Sequence, residues 1–291
     1  MSASIADLPE EARAALVARA NAPGLAHLAG HLVAILVTGT LITLQPPLWW
    51  LALPVHGVLI VFLFTLQHEC THRTPFASDR LCDLVGHGIG LLILNPFLWF
   101  RPFHFAHHRH TNRAGDPELE GPVLQTRARW LWHVSGIPYW RTQIALLIRL
   151  ATGREAPAWL PATIRSRAER EARVLIAIYT MALLTLLWSP LLLWLWIMPC
   201  LLGQPALRLY LLAEHGDCPQ VANVLENTRT TFTTRAVRAL AWNMPFHVEH
   251  HLAPQVPFHR LPALHALIRD RLGVTAPGYA AFTRDYLARR K

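Results

Sequence analysis

Two long stretches of this chain, residues 21–72 and 174–207, contain no lysine or arginine. Only Gln45 and Pro46 interrupt the apolar part of the first stretch, and only Ser189 and Pro190 interrupt the second. Two apolar runs suited to cross a bilayer as helices lie in the first stretch, at residues 26–44 and 47–67, and two more begin in the second, at residues 174–188 and 191–213. The pattern predicts an all-α integral membrane protein with four transmembrane helices arranged as two hairpins.

The basic residues predict how these helices are oriented. All 27 lysines and arginines lie in the N-terminal segment, between Arg73 and Arg173, or from Arg208 onward. Because basic residues stay on the cytoplasmic side near the ends of spans, both termini and the central region should face the cytoplasm. We expect a single domain over residues 1–291 in a bacterial inner membrane, with residues 1–20 as a short cytoplasmic segment that includes an amphipathic helix.

Two further segments are predicted to form helices at the membrane surface. Residues 82–100 are apolar, but they contain Asp83, Asn95, Pro96 and three glycines, which favours an interfacial or re-entrant segment over a fifth span. Residues 127–150 mix tryptophan and tyrosine with arginine, which is typical of helices in the headgroup plane. We expect these segments to belong to a cytoplasmic, histidine-rich helical cap.

Three clusters of histidines each follow an apolar part of the chain. Residues three or four apart on a helix are neighbours, so each cluster can direct two or three imidazole nitrogens at one point. Eight neutral imidazoles exceed the four ligands of a tetrahedral zinc ion, but they suit two ions that keep positions open for oxygen or water. The sequence therefore predicts a dinuclear metal centre with the ligands His68, His72, His104, His107, His108, His247, His250 and His251.

Other residues near these clusters have candidate roles. His215 stands at the predicted cytoplasmic end of the fourth apolar run, as a ninth ligand or as a capping histidine. Four polar residues could hold the second nitrogen of an imidazole or contact the site through water, or could serve only solvation and local turns: Asn243, Glu69, Glu249 and Asp116. We expect the following histidines not to be ligands: His27, His31, His56, His87, His133, His259 and His265. His110 lies on a different helical face from His108 and could be structural.

The order of the motifs, HxxxH followed twice by HxxHH, resembles the membrane-bound fatty acid desaturase and hydroxylase superfamily. The middle motif reads RPFHFAHHRHT from Arg101, with Asp116-Pro117-Glu118 behind it, and the last reads NMPFHVEHHLAP from Asn243. The resemblance covers about residues 66–265 and implies a non-haem enzyme that holds two Fe2+ ions and uses dioxygen to attack an unactivated C–H bond. It implies that the eight clustered histidines are iron ligands, with His215 as a ninth.

The type of reaction has three candidate forms. We expect desaturation of an acyl or other lipid-like chain, with hydroxylation of an alkyl, carotenoid or small-metabolite substrate as the alternative. In the resemblance, desaturases for acyl thioesters often carry an asparagine where this chain has Leu211, four residues before His215, which argues against an acyl-CoA substrate. The third form is an intramembrane zinc metalloprotease, because the sequence from His68 to His72 also reads HExxH, with Glu69 as the general base.

Reducing equivalents should come from a separate protein. The four cysteines are scattered without a C-x-x-C pair, and no haem or dinucleotide signature is present. A net charge of +9 favours an acidic donor such as a ferredoxin, which its reductase would supply, although much of the charge should face anionic lipid. Membrane lipid and a lipid-like or small-molecule substrate complete the expected partners, and no nucleic acid is among them.

Overall fold

The structure, a computed structural model, describes Ile5 and residues 8–121 and 124–291. Part of the predicted N-terminal segment, at positions 1–4, 6 and 7, therefore lies outside the described residues. Two-residue strands β1 (Thr230–Thr231) and β2 (Thr275–Ala276) form one parallel pair. The other regular elements are mainly the α-helices α1 Glu10–Val17, α2 Asn21–Leu44, α3 Ala52–His72, α4 Asp79–Leu92, α5 Phe97–His110, α6 Arg127–Val134, α7 Ile137–Ala151, α8 Ala162–Leu184, α9 Met198–His215, α10 Val224–Asn227, α11 Arg235–Leu240, α12 His247–Leu252, α13 Leu261–Ile268 and α14 Tyr279–Ala288.

Helices α2 and α3 follow one another across a tight turn. Gln45 and Leu48 adopt left-handed backbone conformations in this turn, with φ values of 50° and 65°. Helix α2 ends at Leu44 as the sequence predicts, but α3 begins only at Ala52, after a short 3-10 turn. Because α3 continues to His72, the first histidine motif lies on the last turns of a helix of membrane length.

Three to four helical segments of the described chain could cross a membrane. The predicted third span, residues 174–188, is the second half of α8 and the turn after it, and the first half of α8 carries charges from Arg165 to Arg173. Helices α4 and α5 are long and apolar enough to cross a membrane only when taken as a pair. The bend of 103° between them lies within residues 82–100, the segment predicted to be interfacial or re-entrant. The segments that qualify alone are Glu10–Leu44, Trp49–His72 and Leu193–His215.

The outer faces of α2 and α8 expose apolar side chains. Leu36 and Leu44 on α2 are 68% and 72% exposed, and Met181 on α8 is 65% exposed. Apolar bands of this kind are unfavourable in water and are the surfaces that membrane proteins present to lipid. The exposed faces therefore agree with a protein embedded in a bilayer.

Two facing glycines bring α3 and α9 into close contact. A Cβ atom on Gly57 would lie 1.8 Å from the carbonyl oxygen of Pro199, and one on Gly203 would lie 2.2 Å from the carbonyl carbon of Gly57. Only glycine permits this approach, which is the small-residue packing typical of membrane helices. Because α3 ends in the first histidine motif and α9 ends at His215, the contact sets the separation of these ligand candidates.

A buried amide network holds the bend between α4 and α5 against α3. The Nε2 atom of Gln67 donates to the carbonyl oxygens of Gly86 and Asn95, at 3.2 and 2.9 Å, and Asn95 Nδ2 donates back to Gln67 Oε1 at 2.8 Å. Since Gln67 directly precedes His68, the first histidine of the first motif, this network places α5 beside that motif. The third motif lies in α12, where residues 247–251 are all buried.

Candidate metal centre

The structure brings all nine candidate histidines together in two groups. In the first group, five ligand nitrogens lie within 4.8 Å of one another. In the second, three do so, and a fourth histidine, His247, adjoins them with Nε2–Nε2 distances of 3.1 Å to both His215 and His251. We name them the first cluster (His68, His72, His104, His108 and His250) and the second cluster (His107, His215, His247 and His251).

Helical spacing explains how each HxxHH motif is divided between the clusters. On α5, His104 and His108 are four residues apart and belong to the first cluster, whereas His107 belongs to the second. On α12 the division is reversed, since the pair four residues apart, His247 and His251, belongs to the second cluster. Each motif therefore supplies two imidazoles to one cluster and one imidazole to the other.

Two histidines of the second cluster have their proton position fixed by oxygen acceptors. His107 Nδ1 lies 3.0 Å from both carboxylate oxygens of Asp116, and His215 Nδ1 lies 3.2 Å from the carbonyl oxygen of Asn227. A carboxylate or carbonyl oxygen can only accept, so each imidazole donates through Nδ1–H. In the neutral form of either ring, the Nε2 atom then carries the lone pair.

His251 also donates a hydrogen bond through Nδ1. Two Nε2 lone pairs then face one nitrogen of His247, a conflict that a cation would remove. The hydroxyl of Thr111 donates to the carbonyl oxygen of His107 at 3.0 Å, so its oxygen accepts from His251 Nδ1 at 3.2 Å. The lone pairs on Nε2 of His215 and His251 then both face Nε2 of His247. That nitrogen has at most one hydrogen to share. The donor set therefore fits a metal ion in the second cluster.

The first cluster contains neutral, unpaired nitrogens. Both ring nitrogens of His68 are buried and have no hydrogen-bond partner among the described residues. The Nε2 atoms of His72 and His104 are 2.8 Å apart, and those of His108 and His250 are 3.2 Å apart. Burial lowers the pKa of His250 well below its usual value, and neighbouring imidazoles lower it further. Converging neutral imidazoles are the donor set that first-row transition metals prefer.

Asp116 is a carboxylate beside the second cluster, as the sequence suggests. In addition to the bond from His107, it accepts hydrogen bonds from the backbone N–H groups of Asn112 at 2.7 Å and Glu118 at 2.9 Å. Burial disfavours the charged form, but the hydrogen bonds prevail and hold the pKa of Asp116 below its usual value. The carboxylate is therefore ionised and positions His107.

Glu69 lies behind the first cluster. Its Oε1 atom is 3.5 Å from His250 Nδ1, on the side of that ring opposite to Nε2. Its Oε2 atom accepts from the Thr74 hydroxyl at 2.9 Å and from the backbone N–H of Phe258 at 3.0 Å. The carboxylate is fully buried, so it supports His250 and the chain after α12 and faces no open position.

Glu249 and Asn243 contact groups outside the two clusters. The buried carboxylate of Glu249 accepts from His265 Nδ1 and from the Thr230 hydroxyl, and none of its described hydrogen bonds reaches a cluster histidine. The reason is helical geometry, since position 249 lies on the face of α12 opposite to positions 247, 250 and 251. Asn243, with a φ of 58°, lies in the turn before α12 and donates to the carbonyl oxygen of Phe258 at 3.1 Å.

Several supporting groups were missed by the sequence reasoning. Glu214 Oε1 lies 3.5 Å from His247 Nδ1, and Glu118 Oε2 lies 3.7 Å from His107 Nδ1. Both carboxylates stand next to a motif, which was a usable signal. Thr111 ends the middle motif and so had the same kind of signal, whereas the carbonyl of Asn227 had none, because any residue supplies a carbonyl.

The histidines expected not to be ligands lie outside both clusters. Five of them have hydrogen bonds that tie parts of the fold together. The acceptors are the carbonyl oxygens of Ala239, Leu59 and Leu195 for His27, His31 and His56, and the carboxylates of Glu171 and Glu249 for His87 and His265.

Comparison with known proteins identifies the family. The sequence pattern of the fatty acid desaturase family matches residues 44–283, a range that contains all nine clustered histidines. The chain therefore belongs to the fatty acid desaturase family.

Individual relatives match at lower identity. An sn-1 oleoyl-lipid 12-desaturase of Synechocystis sp. is 24% identical over 259 residues, which cover 77% of this chain and 70% of the relative. An sn-1 acyl-lipid omega-3 desaturase (ferredoxin) of the same genus is 26% identical over 140 residues, 47% of this chain and 38% of the relative. An sn-1 oleoyl-lipid 12-desaturase of Anabaena variabilis is 30% identical over 112 residues. That match spans only 32% of the Anabaena protein and 31% of this chain.

Proposed function

We propose that this protein is an oxygen-dependent di-iron oxidoreductase that introduces a double bond into an acyl or other lipid-like chain at the membrane. The observation that carries the proposal is the division of nine converging imidazoles into two adjoining clusters. Two clusters of neutral nitrogen ligands provide positions for two transition-metal ions and leave room for a further ligand at each. Membership of the fatty acid desaturase family supports iron as the metal.

In the proposed centre, each cluster holds one Fe2+ ion. When bound, the iron pair supplies oxygen activation and removal of hydrogen from an unactivated C–H bond. The protein fixes the ligands through their second nitrogens, as Asp116 does for His107 and the Asn227 carbonyl does for His215. Six of the nine clustered histidines are buried and the other three are half-buried, which limits the access of bulk water to the reacting atoms.

The relatives support desaturation over hydroxylation. Those described above are named as desaturases of acyl lipids. The absence of an asparagine at Leu211 also separates this chain from the acyl-thioester type that the sequence resemblance describes. Hydroxylation is the outcome that the same centre would give if the substrate carbon were held so that oxygen returned to it.

The position of Glu69 argues against an intramembrane metalloprotease. A general base must reach a water or substrate atom in an open position of the site. The two oxygens of Glu69 instead face His250 Nδ1, the Thr74 hydroxyl and the backbone of Phe258. A protease would also use three ligands, whereas the first cluster alone contains five histidines.

We also propose the electron donor and the orientation in the membrane. A ferredoxin-like carrier with its reductase is supported by the name of one relative and by the net charge of +9. Four spans in two hairpins, with both clusters and both termini on the cytoplasmic side of a bacterial inner membrane, are supported by the distribution of the arginines. In this arrangement α8 crosses with its apolar second half, and the bent pair α4–α5 is re-entrant.

The experiment that tests this function uses the iron-loaded protein in lipid vesicles with reduced ferredoxin. We expect a lipid product lighter by two hydrogens, formed only when both dioxygen and reduced ferredoxin are present. His108→Ala should stop product formation, whereas His110→Ala, two residues further on α5 and outside both clusters, should not. Product formation that continues without oxygen or reductant would contradict the proposal.

A further inference from the structure

Helix α9 carries a polar strip that ends at the second cluster. Gln204, Arg208 and His215 lie on one face of this helix, because they are separated by four and seven residues. Gln204 is 1% exposed, and neither atom of its amide has a hydrogen-bond partner among the described residues. A cation and an unpaired amide in a membrane helix are costly, which makes this strip a candidate binding site.

Helix α7 faces this strip with its first two turns. The Arg208 guanidinium carbon lies 4.4 Å from the centroid of the Tyr139 ring. A Cβ atom on Gly136 would lie 2.6 Å from Gln204 Cγ, so the side chain of Gln204 packs directly on the start of α7. The start of α7 therefore lies directly against Gln204 and Arg208 of α9.

Polar groups of α9 at this contact lack partners. Arg208 Nε is buried, can only donate, and has no partner within the part of the chain that the structure describes. The amide of Gln204 adds two N–H donors and an acceptor oxygen, which are also unpaired there. We name Gln204 and Arg208, with Tyr139, the α7–α9 polar site.

The positive charge of Arg208 is not neutralised by a direct ion pair among the described residues. Glu118 and Glu214 act on Arg208 electrostatically, but neither forms a salt bridge with it. Their carboxylates are turned to the second cluster instead, 3.7 Å from His107 Nδ1 and 3.5 Å from His247 Nδ1. The guanidinium is therefore available to an anion, while the two carboxylates connect this region to the candidate metal position.

We infer that the α7–α9 polar site binds the carboxylate group of the substrate beside the metal centre. This inference rests on the proposed function and names its substrate class. Arg208 and His215 are seven residues apart, which corresponds to about 10 Å along the helix axis. The oxidised carbon should therefore lie within roughly this distance of the carboxylate. Within the proposed function, the substrate is then a lipid-like chain with a free carboxylate, which enters with its charged end.

Binding measurements on the iron-loaded protein in detergent, under argon, test this inference without turnover. Hexanoate and dodecanoate are each compared with their methyl esters, which remove the charge and keep the chain. We expect at least one acid to bind ~10-fold or more tightly than its ester, as is typical when a buried cation pairs with a carboxylate. Preference for hexanoate indicates a short acid as the source of the carboxylate, and preference for dodecanoate indicates a fatty acid.

Variants locate the effect. Arg208→Gln should abolish the preference for the acid, and Gln204→Met, which keeps the side-chain volume, should reduce it several-fold. Arg149→Gln is the matched control. Arg149 lies in α7 and forms an ion pair with Glu155 at 2.7 Å, so this variant should keep the full preference for the acid. If Arg208→Gln does not fold, Arg208→Lys replaces it and should weaken the preference.

Two outcomes overturn the inference. One is equal binding of acid and ester by the unmodified protein, and the other is an acid preference that survives loss of Arg208. Failure of the proposed function gives a different result. The protein would still bind acids more tightly than esters, but it would never oxidise a substrate. Conversely, oxidation of an esterified lipid at an unchanged rate by Arg208→Gln would refute the α7–α9 polar site alone.

Discussion

The imidazole rings of His108 and His251 lie nearly parallel, with centroids 4.1 Å apart and an interplanar angle of 7°. The two histidines belong to different clusters and come from motifs far apart in the sequence. The two stacked rings therefore lie between the two candidate metal positions. Loss of either ring removes a ligand from one cluster and a packing partner from the other.

The first prediction concerns the stacked pair of His108 and His251. His108→Ala should reduce the bound metal by at least one ion per chain and abolish turnover, because a ligand is lost and His251 loses its support. Metal content is measured by elemental analysis of folded, detergent-purified protein. His110→Ala is the control and should retain the metal content and activity of the unmodified protein. Full metal content in folded His108→Ala would show that this histidine is not a ligand.

The second prediction separates a carboxylate that supports a ligand from one that does not. Asp116→Asn should weaken metal binding by about 10- to 100-fold, because the carboxylate holds His107 through its Nδ1 atom. Glu249→Gln is the comparison, since Glu249 bonds to His265 and Thr230. It should lower thermal stability and leave metal affinity nearly unchanged. Metal titration of both variants tests this, and equal losses of affinity would argue against the assigned role of Asp116.

The third prediction concerns the close contact between α3 and α9. Gly203→Ala should destabilise the folded protein by about 1–3 kcal/mol or more, because the added methyl group overlaps the backbone of α3 at Gly57. Gly88→Ala on α4 is the matched control, since a Cβ atom there meets no atom within 4 Å. It should be neutral or stabilising by up to about 1 kcal/mol through helix propensity. Thermal unfolding in detergent measures both, and equal stability of the two variants would contradict the packing argument.

The sequence was sufficient to find the histidines but not their division between two clusters. Spacing of three and four residues is a local property, so it shows which imidazoles can share a point. The assignment of His250 to the first cluster and His107 to the second depends on how α5 and α12 are oriented, which tertiary packing decides. For the same reason the sequence could not tell Asp116, which holds a cluster histidine, from Glu249, which holds His265.

Helix boundaries show a similar limit. Hydropathy identified residues 174–188, but α8 begins at Ala162, because its charged first half forms helix equally well. The apolar runs 47–67 and 191–213 both ended short of the histidines, since histidine lowers the hydropathy of a helix without ending it. The contact between Gly57 and Gly203 had no sequence signal of its own, because it depends on which helices become neighbours.

The central claim, a centre of two iron ions held by the two clusters, is tested most directly by counting metal ions. Protein is produced in iron-supplied cells, purified without oxygen, and analysed for iron, zinc and other transition metals per chain. We predict two tightly bound ions per folded chain, with iron dominant and zinc only as its replacement, since zinc binds nitrogen ligands more tightly than Fe2+ does. A single tightly bound ion per chain, of any metal, would contradict the account.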